Sequence, residues 1–236
     1  LLATTPNDAA GDVLWHALQS ASNVASRKLA LKGILRRRSA KALRHVIEHW
    51  HTFCVELKDV ATQHRGRLTG AIRDAIVSRD DQLCANGCDA ALLVREYEIV
   101  PALVTVVRSK EARQAEIAAR TMIELVQELY IELNQSRDSR TRRDSQLAHA
   151  HVSSALEAAV RQYPQHQRKD ILTAFLITAG RENATLKNIL REPLDPTHSA
   201  LVELLAQSPR PAIARLTASF LEDGRAPQAA LLVHAR

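Results

Sequence analysis

Residues 39–64 read SAKALRHVIEHWHTFCVELKDVATQH, and this stretch is the strongest indication of the fold class. Its apolar side chains recur every three or four positions, at Leu43, Ile47, Trp50, Cys54, Leu57 and Ala61. Side chains with that spacing share one face of an α-helix, because the helix turns once in about 3.6 residues. The pattern therefore predicts one long amphipathic helix over residues 39–64.

The same helical period continues along the rest of the chain, and no run alternates apolar and polar residues as a half-buried strand would. Asn86-Gly87 is typical of a hairpin turn, but the residues on either side of it favour a helix. The predicted helices are 8–20, 23–36, 39–64, 66–79, 81–94, 98–109, 111–135, 144–163, 166–179, 182–191, 197–207, 210–222 and 226–235. We expect an all-α protein of roughly 11 to 13 helices.

The composition is that of a globular helical protein. Of its 236 residues, 46% are hydrophobic and only 3% are aromatic, so small aliphatic side chains supply the core. No apolar run reaches the roughly 18 residues that predict a transmembrane helix. The first residues contain neither an initiator Met nor a recognisable signal peptide. We expect a soluble, cytoplasmic protein, and the start of the chain suggests a fragment.

The three cysteines are consistent with a reducing compartment. Cys54, Cys84 and Cys88 cannot all pair within one chain. Cys84 and Cys88 lie one helical turn apart and would suit a metal or redox pair if two further ligands converged on them. Free cysteines are commonly buried as small hydrophobic residues, and we favour that interpretation here. The sequence predicts no cofactor.

Three short segments contain the kind of helix and turn found in repeat proteins: residues 27–31 (RKLAL), 99–104 (IVPALV) and 208–216 (SPRPAIARL). They resemble the HEAT and armadillo families of α-solenoids, in which a helix is followed by a turn with Pro or Asp and by a second helix with Arg and Ala. The resemblance implies a single repeat domain over residues 1–236, forming a curved superhelix with a protein-binding surface. The long helix 39–64 and the polar stretch 134–145 depart from a regular repeat, and the polar stretch is the expected place of any division.

The charge of the chain is unevenly distributed. The net charge is +6, and no acidic residue lies between Asp12 and Glu48. The basic residues in that interval are Arg27, Lys28, Lys32, Arg36, Arg37, Arg38, Lys41 and Arg44. Such a density attracts phosphates, acidic peptides or anionic head groups, although a solvated basic face without a ligand has the same pattern. Residues 27–44 contain no aromatic side chain on which a base could stack.

One motif in the sequence matches the catalytic motif of a known enzyme family. His45, Glu48 and His49 fit the H-x-x-E-H pattern of a zinc protease family, in which two histidines bind zinc and the glutamate activates water. Glu124 or Glu128 would be candidates for a third ligand. That protease family has a mixed α/β fold, whereas this sequence predicts no strands. We therefore interpret His45 and His49 as residues beside the apolar stripe and expect no metal.

These observations predict a non-enzymatic scaffold for protein–protein interaction. The first alternative is an electrostatic binder of nucleic acid or of an anionic membrane through residues 27–44. The second is a zinc hydrolase built on His45, Glu48 and His49. The final segment, 226–235, predicts an apolar helix without the polar cap that ends most solenoids, which suggests a homo-oligomer or a longer protein.

Overall fold

The computed structural model describes residue 7 and residues 9–109, 112–135, 139–221 and 227–232. Its regular elements are helices, and no strand occurs within these ranges, which confirms the all-α prediction. The α-helices are α1 Ala9–Ser20, α2 Val24–Arg37, α3 Ala40–Glu48, α4 Val55–Thr62, α5 Thr69–Ile76, α6 Asp81–Val94, α7 Val100–Val107, α8 Ala112–Gln135, α9 Ser139–Val160, α10 Tyr163–His166, α11 Lys169–Thr178, α12 Ala184–Arg191, α13 His198–Gln207, α14 Pro211–Leu221 and α15 Gln228–Leu232. Short 3-10 helices occupy Trp50–Thr52 and Tyr97–Ile99. None of the helices in the described ranges is long and apolar enough to span a bilayer.

The chain forms two compact units. Unit 1 comprises residues 1–106 and 111–121, and unit 2 comprises residues 107–110 and 122–236. Helix α8 contributes residues to both units. The described part of the polar stretch 134–145 is helical and belongs to α8 and α9. The interpretation of residues 1–236 as one repeat domain stays a prediction.

The helices of unit 1 pack in a regular order. α1 packs on α2, and α5 packs on α6. In addition, α1 contacts α3, α2 contacts α4, α3 contacts α5 and α4 contacts α6. The side chains of Leu31, Ile34, Leu57 and Ile72 are completely buried in this unit. Helices α1 to α6 thus bury their apolar faces against a neighbour in the chain or against a helix two places along, and α3 also packs on α6.

The single helix predicted for residues 39–64 is wrong. Helix α3 ends at Glu48, the 3-10 helix Trp50–Thr52 follows, and α4 begins only at Val55. The side-chain amide of Asn86 in α6 donates hydrogen bonds to the carbonyl oxygens of Ile47 at 3.0 Å and Glu48 at 2.9 Å. These bonds satisfy carbonyl groups that the end of a helix leaves without partners. Two helices therefore replace one, and the described residues contain 15 α-helices, more than the sequence predicts.

The segment between α3 and α4 is held by a buried tryptophan. Trp50 is completely buried, and its Nε1 donates to Oδ2 of Asp89 at 2.9 Å. Lys58 donates to the same oxygen at 3.1 Å, and its Nζ lies 5.4 Å from the centroid of the Trp50 ring. Cys54, which the sequence places in the apolar stripe, instead precedes α4 and is only half-buried.

The core of unit 2 is built around α11, whose residues Ile171, Leu172 and Phe175 are buried. α9, α13 and α14 contact this helix. The final helix, α15, contacts α12, α13 and α14, and buries Ala230. Residue 226 and residues 233–236, which include the rest of the predicted helix 226–235, lie outside the described residues. The homo-oligomer stays a prediction.

Candidate functional site

A groove in unit 1 brings together three of the eight basic residues singled out in the sequence. Arg38, Lys41 and Arg44 line it together with Arg67, and its volume is about 770 Å³. α3 forms one wall, and α5 forms the other. We call this surface the basic groove and define it by these four cations around Leu43 and Ile47.

Apolar side chains form the floor of the basic groove. Leu43 and Ile47 of α3 line it, and so does Ala75 of α5. These three residues are almost completely buried, and the apolar lining that stays partly or fully exposed consists of Ala40, Ala71 and Leu83. Carbon atoms therefore lie next to the guanidinium and ammonium groups, which is the arrangement expected of a site that binds a ligand with both apolar and charged parts.

Two of the four cations already have carboxylate partners. Nζ of Lys41 lies 2.9 Å from Oδ1 of Asp12, and Nε of Arg44 lies 2.9 Å from Oε1 of Glu48. Within the described ranges, Arg38 and Arg67 form no ion pair. Asp74 is the one acidic residue among the described lining residues; together with the partners Asp12 and Glu48, three carboxylates face four cations and leave a formal charge of +1. The groove therefore favours an anionic ligand.

Backbone geometry at the end of α2 places Arg38. This residue has left-handed backbone angles, φ 57° and ψ 27°, and its N–H donates to the carbonyl oxygen of Ile34. Such a conformation commonly ends a helix and turns the chain sharply. The turn leads directly into α3, and Arg38 lies at its beginning with an exposed side chain.

A buried carboxylate fixes the segment that carries Arg67. Glu96 accepts a hydrogen bond from Oγ1 of Thr69 at 2.8 Å and another from the backbone N–H of Gly66 at 3.2 Å. Gly66 has a φ of 76°, a conformation that glycine adopts without strain. Burial raises the pKa of Glu96 above its usual value. These two hydrogen bonds hold Gly66, which directly precedes Arg67, and Thr69, which lies two positions after it.

The other five basic residues of the predicted stretch lie on α2, outside the lining of the basic groove. Arg27 donates from Nε to the carbonyl oxygen of Leu18 at 3.1 Å. Arg37 donates from Nη2 to the carbonyl oxygen of Asn7 at 2.7 Å. Lys28 and Lys32 are half-buried and Arg36 is exposed. The sequence did not identify Arg67, because its stretch is less dense in basic residues than residues 27–44 and because this residue reaches the groove only through the packing of α5 on α3.

The H-x-x-E-H residues interact mainly with one another and with an aromatic ring. Nδ1 of His45 lies 2.8 Å from Oε2 of Glu48, and Nδ1 of His49 donates to the carbonyl oxygen of His45 at 3.1 Å. Burial opposes ionisation of Glu48, but hydrogen bonds from His45 and Arg44 outweigh it and lower the pKa of Glu48. The Trp15 ring stacks on His45, with centroids 5.4 Å apart.

No three His, Cys, Asp or Glu side chains form a group able to hold a metal in the part of the chain that the structure describes. Glu124 and Glu128, the candidates for a third zinc ligand, belong to unit 2, whereas His45 and His49 belong to unit 1. Cys84 and Cys88 are free and buried on α6, as predicted. A hydrogen bond between the two thiols lowers the pKa of Cys84 and raises that of Cys88.

No protein-family model matches this chain, and no curated protein is significantly similar to it. The functional argument therefore depends on the chemistry of the basic groove. Guanidinium groups bind carboxylates through paired, charge-assisted hydrogen bonds. Ala40, Ala71 and Leu83 add partly exposed apolar surface from which a ligand can displace water.

Proposed function

We propose that the protein is a non-enzymatic interaction scaffold and that the basic groove binds an acidic segment of a partner protein. The observation that carries this proposal is the combination of Arg38 and Arg67, which have no ion pair in the described ranges, with the partly exposed apolar residues Ala71 and Leu83. Carboxylates of the partner would meet the guanidinium groups, and its apolar side chains would cover the floor. The occupant is then a polypeptide with both kinds of side chain.

The packing order of unit 1 supports a HEAT- or armadillo-like superhelix as the framework of this scaffold. α1 packs on α2 and α5 packs on α6, and contacts of α1 with α3, α2 with α4, α3 with α5 and α4 with α6 join helices two places apart, as in stacked helical pairs; α3 also contacts α6. In stacked pairs, each unit buries its apolar face against the next and leaves a groove between successive helices. The basic groove, between α3 and α5, occupies such a position.

Nucleic acid is the competing anion. Its phosphates would be attracted by the same four cations, but they would leave the apolar floor uncovered. The groove lining described above contains no aromatic ring for a base to stack on. A protein segment uses both the charged and the apolar parts of the groove, and for that reason we favour it.

Affinity capture with the full chain tests this proposal. Arg67→Glu reverses one groove cation, and Arg73→Glu is the matched control, because Arg73 lies exposed on the same helix and does not line the groove. We expect nuclease-treated lysate to yield partner proteins that bind wild type and Arg73→Glu alike, and Arg67→Glu at least about tenfold more weakly, since loss of a charge pair typically reduces affinity by that much. Capture that is equal in all three chains, or that disappears with nuclease, would overturn the proposal.

A further inference from the structure

We infer that the segment bound in the basic groove is an amphipathic α-helix with acidic residues along one flank. This inference rests on the function proposed above and specifies the conformation and residue pattern of the partner. Three features of the groove lead to it: the secondary structure of its walls, the size of the side chains on α5, and the position of the cations along α3.

Both long walls of the groove are helices whose backbone groups are used within the helices themselves. In the described ranges no strand is available whose edge could pair with an extended peptide. An extended segment would therefore bring its backbone N–H and C=O groups into the groove without backbone partners, which is unfavourable. A helix satisfies its own backbone groups and presents only side chains to α3 and α5.

The α5 wall is made of small side chains. Gly70, Ala71, Ala75 and Ser78 line the groove there. A Cβ atom built on Gly70 would meet no atom within 4 Å, so the space above it is open. Small residues let a second helix approach closely, toward the short end of the usual 8–10 Å range of interaxial distances. This wall thus suits the backbone of a helix.

The cations lie mainly on the opposite side of the groove. Lys41 and Arg44 are three residues apart in α3, which corresponds to about 4.5 Å along the axis, and Arg38 lies in the turn that precedes this helix. Acidic side chains three or four positions apart on a bound helix have nearly the same axial spacing as Lys41 and Arg44. They would compete there with the present partners Asp12 and Glu48, while Arg38 is open to a further acid. Asp74 on α5 would repel acids placed on the other flank. The charges therefore select one orientation of the acidic flank, toward α3.

The partner pattern follows from these positions. Apolar residues at helical spacing face Ala71 and Leu83, and acidic residues at the adjacent helical positions face Arg38 and Arg44. α3 has nine residues, or about 13 Å of helix, so two to three turns of the partner make the contact.

Synthetic peptides test the inference against the full chain. The probe is a labelled peptide of about 14 residues, or about 21 Å of helix, composed of Glu, Leu and Ala with the pattern just given. A scrambled peptide of the same composition removes the apolar face, and a peptide with a central proline removes the helix. We expect fluorescence anisotropy to show binding of the probe at least about tenfold tighter than of either control, and circular dichroism to show helix gained by the probe on binding.

A steric variant provides the second arm. Gly70→Gln places a side chain in the open space of the groove, and Gly180→Gln is the control because a Cβ there also meets nothing within 4 Å. We expect about a tenfold or greater loss of probe binding for Gly70→Gln and no change for Gly180→Gln. Thermal unfolding verifies that both variants fold, and the methyl NMR shift of Leu83 on adding the probe to wild type gives a measurement independent of either variant.

The outcomes separate this inference from the proposed function. If the scrambled and proline peptides bind as tightly as the probe while Arg67→Glu weakens all three, the groove binds acidic segments without requiring a helix, and only this inference is overturned. If Arg67→Glu and Gly70→Gln leave all binding unchanged, both are overturned. Binding of a single-stranded oligonucleotide that displaces the probe and exceeds it in affinity would favour nucleic acid as the occupant and also overturn both.

Discussion

The side-chain amide of Asn86 in α6 donates a hydrogen bond to the carbonyl oxygen of Ile47 in α3 across 3.0 Å. The same nitrogen donates to the carbonyl oxygen of Glu48 at 2.9 Å, and Oδ1 of Asn86 accepts from Nε2 of Gln82 at 2.9 Å. With only 3% of its surface exposed, Asn86 both ends α3 and ties it to α6. Because Ile47 lines the basic groove, this amide also supports the floor of the candidate site.

Replacing this asparagine should destabilise unit 1 strongly. Asn86→Ala leaves the carbonyl oxygens of Ile47 and Glu48 without their buried donor, and we expect the free energy of unfolding to fall by about 2–4 kcal/mol. Urea denaturation measures the change. Gln82→Ala, at the exposed end of the same network, is the control and should lose less than about 1 kcal/mol. An equal loss in the two variants would contradict the role assigned to Asn86.

Two glycines should respond in opposite directions to the same substitution. A Cβ at Gly87 would lie 2.9 Å from Cβ of Ala75 and 3.2 Å from Cγ1 of Ile76, so Gly87→Ala should force α6 away from α5 and cost about 1–3 kcal/mol. Gly70→Ala meets open space and should stabilise α5 by up to about 1 kcal/mol, because alanine is the better helix former. Thermal unfolding measures the stability of the two variants relative to wild type. A Gly70→Ala variant less stable than wild type would contradict the open space above Gly70.

The buried carboxylate of Glu96 should make stability depend on pH. Since burial raises its pKa in the folded protein, the folded state holds the proton more tightly than the unfolded state does. The contribution of Glu96 to stability is therefore complete below its unfolded pKa and decreases as the pH rises through the higher folded value. Glu98 also raises this pKa, while Thr69, Gly66 and Arg65 lower it.

The Glu96→Gln variant tests whether the contribution of Glu96 to stability decreases as the pH rises. The variant keeps an oxygen acceptor for Thr69 and Gly66 but cannot ionise. We expect it to gain stability relative to wild type as the pH is raised from about 4 to about 8, because only the wild type then becomes charged in a buried site. Urea titrations at several pH values measure the difference. A difference independent of pH would show that this carboxyl group titrates alike in the folded and unfolded states.

His166 in unit 2 should make stability decrease as the pH falls, which is opposite to the effect of Glu96. Its Nε2 donates to the carbonyl oxygen of Ala159 at 3.0 Å, and its Nδ1 accepts from the backbone N–H of Arg168 at 3.0 Å, which is the pattern of a neutral ring. Burial, together with Arg108 and Arg168, lowers the pKa of His166. The unfolded state thus binds the proton first, and stability should decrease as the pH falls from its ordinary value of 6.5 toward the lower folded value.

The matching variant is His166→Gln, which retains a donor and an acceptor without titrating in this range. We expect its unfolding free energy to change less between about pH 7 and pH 5 than that of wild type. His151, an exposed histidine of α9, provides the control substitution His151→Gln, which should leave the wild-type pH profile intact. An unaltered profile for His166→Gln would contradict the assignment.

Sequence patterns predicted those features that depend on near neighbours. Helix α6 begins and ends at the predicted residues, Asp81 and Val94, because Oδ1 of Asp80 accepts the N–H of Leu83 at 2.9 Å and the apolar spacing continues to the end. The interruption of residues 39–64 was not predictable in this way. It depends on Asn86, which is 39 positions from Ile47, and such a contact exists only once α6 has packed on α3.

In the candidate site too, residues close together in the chain could be predicted, and a residue placed by contacts between distant positions could not. Arg38, Lys41 and Arg44 stood out because they are close together in an acid-free stretch, and the structure places them in one groove. Arg67 has only Arg65 and Arg73 as basic neighbours in its own acid-free stretch, residues 60–73. Its position depends on the Glu96 contacts with Gly66 and Thr69, and these join residues 27 to 30 positions apart.

Arg38 carries a left-handed backbone, with φ 57°, at a helix end where glycine is the usual residue. A side chain in that conformation costs about 1–2 kcal/mol, so Arg38→Gly should make the protein more stable while removing one cation from the groove. Folding and the proposed binding thus place opposite demands on one residue. Selection for stability alone would favour glycine at this position, and retention of the arginine in evolving populations would measure how strongly selection maintains this cation.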